Sequence, residues 1–119
     1  MNDFLDVFYR RRSIRKFTEE SVSREDLINL LKAGMAGPSG MNAQPWEFVV
    51  ITEKDILTKF RKNLMFAKMT APAAICVLGS KRMQTNKAGD KFRVQDCSAA
   101  TENILLAAGR YAAVSGART

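Results

Sequence analysis

Histidine is missing from all 119 residues of this chain. That excludes Ser-His and Cys-His catalytic pairs, and any metal site built on imidazole. Cysteine is scarce: Cys76 and Cys97 are too few and too far apart for a disulfide framework or a zinc site. No apolar run approaches the ~20 residues of a membrane-spanning helix. The start, Met1-Asn2-Asp3-Phe4, carries an early acid and no long apolar core, so the expectation is no signal peptide and a cytoplasmic location. Repeats, low-complexity tracts and interdomain linkers are also absent. With no metal site and no catalytic residue of its own in prospect, whatever chemistry the chain performs falls to a cofactor.

What is present fits one domain with a modest core: 46% of residues are hydrophobic and 26% charged. The net charge of +7 raises nucleic acid as a partner. Lysine and arginine are scattered from Lys54 to Arg93, however, with no basic strand carrying interleaved aromatics, so no nucleic-acid contact is expected. One basic cluster stands apart. Arg10-Arg11-Arg12-Ser13-Ile14-Arg15-Lys16-Phe17 holds five cations and a hydroxyl in eight residues. Arginine offers a planar fork of donors suited to phosphate oxygens. In an extended segment Arg11, Ser13 and Arg15 point one way and Arg12 the other, unless the chain curls. The plainer alternative leaves Arg10 and Arg12 in solvent, with Ile14 and Phe17 anchoring the segment in the core.

A second unusual segment is Pro38-Ser39-Gly40-Met41-Asn42-Ala43-Gln44-Pro45-Trp46. The prolines stiffen it and Gly40 lets a ligand approach the backbone. Asn42 and Gln44 offer donors and acceptors matched to a heterocycle edge that mixes C=O and N–H. The alternative is an ordinary helix-to-strand loop whose amides bond its own backbone. Trp46 is expected in the core rather than against a ligand.

Between and after these segments, the pattern predicts helices and strands in the order α-α-β-α-β-α, an α+β or α/β layout. A first helix over 2–10 gathers Phe4, Leu5, Phe8 and Tyr9 on one face. A second starts at the cap Ser23, with Glu25 and Asp26 in its first turn and Leu27, Leu30, Leu31 and Met35 as its stripe, and stops at Gly37-Pro38. Trp46 to Ile51 reads as a strand. Thr52 caps a third helix that turns Ile56, Leu57, Phe60 and Leu64 inward. Ala73 to Leu78 reads as a strand buried on both faces, with Cys76 as a small hydrophobe within it. Lys81 to Gly89 reads as a polar loop. A long helix from about Asp90 to Ala108 follows, lining up Val94, Cys97, Thr101, Ile104, Leu105 and Ala108.

The two segments, their spacing, the stretch Met69 to Ile75 leading into a strand, and the helix Gln95 to Ala108 together resemble the FMN-dependent nitroreductase family over about residues 4–108. The resemblance implies an α+β sandwich forming an intertwined homodimer, with FMN in two interface sites. It implies that Arg11, Arg12, Ser13 and Arg15 hold the FMN phosphate and ribityl chain or the pyrimidine edge. Pro38, Ser39, Gly40, Met41 and Asn42, reaching from the partner subunit, would line the flavin ring, with Gln44 nearby. It further implies hydride transfer from NADH or NADPH to flavin, then to a nitroaromatic, quinone or similar acceptor. No catalytic side chain and no metal ligand is implied.

After Ala108 the match stops, and residues 109–119 are rich in small residues without an apolar period. The expectation is an incomplete nitroreductase-like domain over 1–108 with an atypical tail, truncated or frame-shifted. Strands would then be left with uncovered edges, and flavin binding would be weak. The runner-up function is a non-catalytic flavin-binding or dimerising fragment.

Overall fold

The computed structural model describes residues 3–66, 69–80 and 91–115. Helices α1 (Asp3–Arg10) and α2 (Arg24–Met35) lead to a 3₁₀ turn (Gly40–Asn42). Then come β1 (Trp46–Ile51), α3 (Lys54–Asn63), β2 (Ala74–Gly79) and α4 (Arg93–Ser115). The α-α-β-α-β-α order is the one the sequence pattern implies. The expected polar loop at Lys81 to Gly89 lies outside the described residues.

Local chemistry accounts for the element ends. Ser23 Oγ accepts the Asp26 N–H at 3.1 Å, satisfying one orphan donor of α2's first turn. The other end of α2 differs from expectation. Ala36 caps it in right-handed geometry, φ −78° and ψ −6°, and no left-handed glycine is involved. The Ala36 N–H is shared between the Lys32 and Ala33 carbonyls, and the Gly37 N–H takes the Gly34 carbonyl, so the last turn tightens instead of reversing. Helix α3 is capped by Glu53, not Thr52, with no side-chain bond at its start. Leu57 and Phe60 of α3 are half-buried, while Ile56 and Leu64 are exposed.

β1 and β2 pair antiparallel, in a register running from Trp46 opposite Gly79 to Ile51 opposite Ala74. Among the described residues these two strands form the whole sheet. β2 is therefore not buried on both faces: Ala74 to Val77, Cys76 included, are half-buried and Leu78 is exposed. A two-stranded sheet with α4 against it covers one face only.

The core is small: Leu30, Pro45, Trp46, Ile51, Ala100 and Ile104. Helix α4 organises it, touching α2, both strands and α1. The packed face of α4 runs Asp96, Ala100, Ile104, one residue per turn. Ile104 of the expected stripe lies on that face, while Val94 and Leu105 of the stripe are exposed. Contacts run in opposite senses along the two partners. Asp96 meets Gly40, Ala100 meets Gly37, Asn103 meets Ala33 and Ile104 meets Gly34, so α2 and the loop after it lie antiparallel on α4. Gly34 makes the approach possible, since a Cβ there would sit 2.9 Å from Ile104 Cδ1 and 3.2 Å from Phe48 Cζ. Helix α4 also passes the expected stop at Ala108 and continues to Ser115. The alanines at 112 and 113 are strong helix formers, and small residues do not end a helix for want of an apolar period.

Candidate functional site

The basic segment leaves α1 and runs over residues 11–20 without regular structure. Its cations divide by role. Arg10 pairs with Asp6 one turn back at 2.7 Å, on the surface. Arg12 folds onto its own backbone, its Nη1 donating to the Tyr9 carbonyl at 2.7 Å and the Arg11 carbonyl at 2.9 Å. Those carbonyls belong to the C-terminal end of α1, where helical partners run out and a cation is favoured by the dipole. Arg11 is half-buried; Ser13 and Arg15 are exposed. Among the described residues, no hydrogen bond or ion pair engages the side chains of Arg11, Ser13 or Arg15. Ile14 is half-buried and anchors the segment, whereas Phe17 is 41% exposed and does not.

The second segment is a tightly cross-bonded loop. Ser39 is extended (φ −145°), and its Oγ accepts the Gln44 N–H at 3.1 Å. The Asn42 N–H reaches the Ser39 carbonyl and the Ala43 N–H the Gly40 carbonyl. Gln44 Nε2 donates to Asn42 Oδ1 at 3.0 Å, joining the two amide side chains to each other rather than to the backbone. Pro45 is fully buried and its carbonyl takes the Ser80 N–H at 2.7 Å, which fixes the loop to the end of β2. Trp46 is buried in the core. Pro38 is exposed.

Backbone strain concentrates here. Met41, Asn42 and Gln44 have φ of 54°, 55° and 50°, the left-handed region that side chains disfavour. Each such residue costs on the order of 1–3 kcal/mol, less for asparagine, and persists only where its surroundings over-determine it. Gly40 plays a different part from the one expected. Its open side faces the Phe92 ring, with a Cβ there falling 2.9 Å from Cδ2, so the ring occupies the approach read as a ligand's.

Asp96 stands beneath the loop. Its Oδ1 accepts the Gly40 N–H at 3.0 Å, and its Oδ2, buried with the rest of a residue only 4% exposed, has no partner among the described residues. A buried acceptor left unpaired costs about 1–3 kcal/mol. Two turns on, Asn103 Nδ2 donates to the Ala33 carbonyl at 3.0 Å. The stripe expected from the sequence, Val94 to Ala108, leaves out both residues. The available signal was two polar residues seven apart, on the face that carries Ala100 and Ile104.

A shallow groove of about 290 Å³ lies on the neighbouring surface of α4 against β2, lined by Val77, Gly79, Arg93, Cys97, Ser98 and Thr101 among others. Burial pushes the Cys97 thiol above its ordinary range, the Asp96 carboxylate adds to the rise, and Arg93 opposes both. The Cys97 S–H points to the Leu78 carbonyl at 3.8 Å. The shift disfavours the thiolate, which is the nucleophilic form. Among the described residues no group of three or more Cys, Asp or Glu is placed to hold a metal, and no helix is long and apolar enough to cross a membrane.

One chain does not bring the two segments together. The Arg11 Cα packs beside Gly109, while Gly40 packs beside Phe92 and Asp96. Thirteen residues of α4 separate Asp96 from Gly109, which places the two attachment points roughly 20 Å apart at 1.5 Å rise per residue.

Comparison with known proteins gives a consistent result. The sequence model described as "Nitroreductase family" matches residues 9–67. A protein of Archaeoglobus fulgidus, provisionally named NADH dehydrogenase/NAD(P)H nitroreductase, is 41% identical over 108 residues, which is 91% of this chain and 62% of that protein. A crystal structure from Bacteroides thetaiotaomicron with the same provisional name superposes at TM-score 0.83, with 37% identity over 93% of this chain and 64% of the other. A provisionally named nitroreductase of Desulfovibrio desulfuricans, solved in complex with FMN, superposes at TM-score 0.80 with 32% identity, again over 93% and 64%. The chain thus spans less than two thirds of the length of each.

Proposed function

Because this chain belongs to the nitroreductase family, we propose that it provides the N-terminal part of an FMN-dependent oxidoreductase site, shared between two copies. The observation that carries the reading is the roughly 20 Å between the cationic segment and the amide loop along α4. Two segments so far apart serve one small ligand when each faces the complementary segment of a second copy. The exposed apolar face of α1, with Phe4 71% and Tyr9 67% exposed, gives such a copy a surface to cover.

The donor chemistry fits FMN. Arg11, Ser13 and Arg15 are not committed to side-chain partners among the described residues; the two arginines offer charge-assisted donors, and Ser13 a hydroxyl donor, to phosphate oxygens or the pyrimidine edge. Arg12 contributes by capping α1, and its remaining guanidinium N–H groups stay available to the ribityl chain or phosphate. From the other copy, Pro38, Ser39, Gly40, Met41 and Asn42 would lie along the flavin ring with Gln44 beside them. Their conformation is set in advance by the Ser39–Gln44 and Gln44–Asn42 bonds, which lowers the ordering cost of binding. When bound, FMN supplies hydride acceptance from NADH or NADPH and its delivery to a nitroaromatic, quinone or similar acceptor. The chain's own residues hold, orient and shield; none acts as acid, base or nucleophile. A cytoplasmic setting agrees with a nicotinamide-linked reaction.

The test is FMN retention. Arg15→Ala combined with Ser13→Ala should weaken FMN binding at least ten-fold while leaving the circular dichroism spectrum unchanged, since both side chains are exposed. Equal affinity in the folded double variant would refute the assignment. The second reading, a flavin-binding or dimerising fragment without turnover, draws on the uncovered sheet, where Val49 is 44% and Leu78 46% exposed. Bound flavin without NAD(P)H oxidation would select it.

A further inference from the structure

We infer that Asp96 is the positioning residue for the Ser39–Gln44 loop, and that its hold on the Gly40 N–H sets the shape in which the loop meets its ligand. The inference rests on the flavin reading for the identity of that ligand. The hold itself follows from the geometry alone.

Three observations converge. First, the loop carries three left-handed residues, Met41, Asn42 and Gln44. Bonds within the loop hold part of that shape and the Ser80 N–H holds its far end at Pro45, so a further restraint belongs at its start, where Gly40 lies. Second, Asp96 Oδ1 is the side-chain group from elsewhere in the chain that bonds the Gly40 N–H, at 3.0 Å and fifty-six residues away in sequence. A carboxylate acceptor makes this bond stronger than a neutral one, and burial at 4% exposure shields it from water. Third, the carboxylate is fixed at its base. It lies on the packed face of α4, where Ala100 and Ile104 meet Gly37 and Gly34, and Asn103 secures the Ala33 carbonyl. The clasp therefore fixes α2, and Asp96 extends that clasp past the end of α2 into the loop.

The orphan Oδ2 separates this role from simple packing. An apolar residue there would avoid burying an oxygen that has no partner among the described residues, but would leave the Gly40 N–H without its acceptor. Keeping an acceptor at this buried position trades packing stability for a hold on the loop. Asp96 touches no proposed ligand atom. It acts through the Gly40 amide on Ser39, Met41, Asn42 and Gln44.

Amide hydrogen exchange and FMN titration on the same proteins test this. In the unmodified chain the Gly40 amide should exchange at least ten-fold slower than an unstructured glycine amide. Unprotected exchange there overturns the inference without any variant, and so holds even if Asp96→Ala fails to fold. Asp96→Ala should abolish that protection and weaken FMN binding at least ten-fold, with α2 and α4 amides still protected. Asp96→Asn keeps an acceptor oxygen at the same place and should restore both. Loss of FMN binding in Asp96→Asn equal to that in Asp96→Ala, or full FMN affinity in Asp96→Ala with Gly40 released, would overturn the inference. If the unmodified chain binds no FMN, the flavin reading falls, and Gly40 exchange in the two variants alone decides whether Asp96 sets the loop.

Discussion

Gly34→Ala is the sharpest probe of the clasp on which the site is hung. Glycine in a helix interior costs roughly 0.8–1.0 kcal/mol relative to alanine, so on propensity alone the substitution stabilises. The packing opposes it. The new Cβ would stand 2.9 Å from Ile104 Cδ1, 3.0 Å from Ile104 Cγ1 and 3.2 Å from Phe48 Cζ, against an optimum near 3.5–4.0 Å for carbon pairs. Ile104 is only 8% exposed, so its end cannot swing freely into solvent. Overpacking of this kind costs about 1–3 kcal/mol. The expected net result is a loss of about 1 kcal/mol in urea unfolding followed by circular dichroism.

A double-mutant cycle isolates the contact. Ile104→Val deletes Cδ1, the atom in the tightest approach, and alone should cost about 0.5–1.5 kcal/mol. In the valine background Gly34→Ala should become neutral or stabilising, giving a coupling of about 1 kcal/mol. Two results would refute the reasoning. One is Gly34→Ala raising stability by its full propensity gain in the parent chain. The other is strict additivity of the two substitutions, which would mean that α2 and α4 do not meet here.

Other predictions follow from single contacts. Ser23→Ala removes the acceptor of the Asp26 N–H and should cost about 1 kcal/mol in the same unfolding assay; no loss would mean another group caps α2. Cys97 should alkylate slowly near neutral pH and continue to speed up past pH 9.0, its ordinary value, because burial first and Asp96 second raise its pKa. A raised pKa means the fold favours the protonated thiol, so this stabilisation is fully present below 9.0 and lost as pH rises through the higher folded value. Asp96→Asn should make Cys97 alkylate faster at fixed pH, as followed by mass spectrometry. An unchanged rate in that variant would contradict the carboxylate's part in the shift.

Much of the fold was legible because its signals are local. The Ser23 cap and the strand Trp46–Ile51 were read at the positions the structure gives them. A hydroxyl before two acids, and a run of β-branched and aromatic residues, act within a turn or a strand. What escaped depends on tertiary partners. The apolar run at Ala73 to Leu78 reads as doubly buried only if both faces are covered, and α4 covers one. The packed face of α4 escaped because its key members are a carboxylate and an amide, Asp96 and Asn103, whose burial is made tolerable by Gly40 and Ala33. The candidate site shows the same division. Composition marked both segments, but neither the left-handed backbone at Met41, Asn42 and Gln44 nor the Phe92 ring against Gly40 follows from local sequence.

Helix α4 keeps the two segments apart within one chain. Near its start it presents Phe92 and Asp96 to the amide loop; Gly109, well along its length, lets the backbone of Arg11 lie close. Moving either segment toward the other within one chain would require breaking the Asp96–Gly40 bond or lifting Arg11 off the helix. In the proposed shared site a second copy would need neither, because a two-fold arrangement would set the cationic end of one helix beside the loop end of the other. On that proposal the left-handed backbone of the loop would be held ready for the second copy, with the Asp96–Gly40 bond as one of the contacts that hold it.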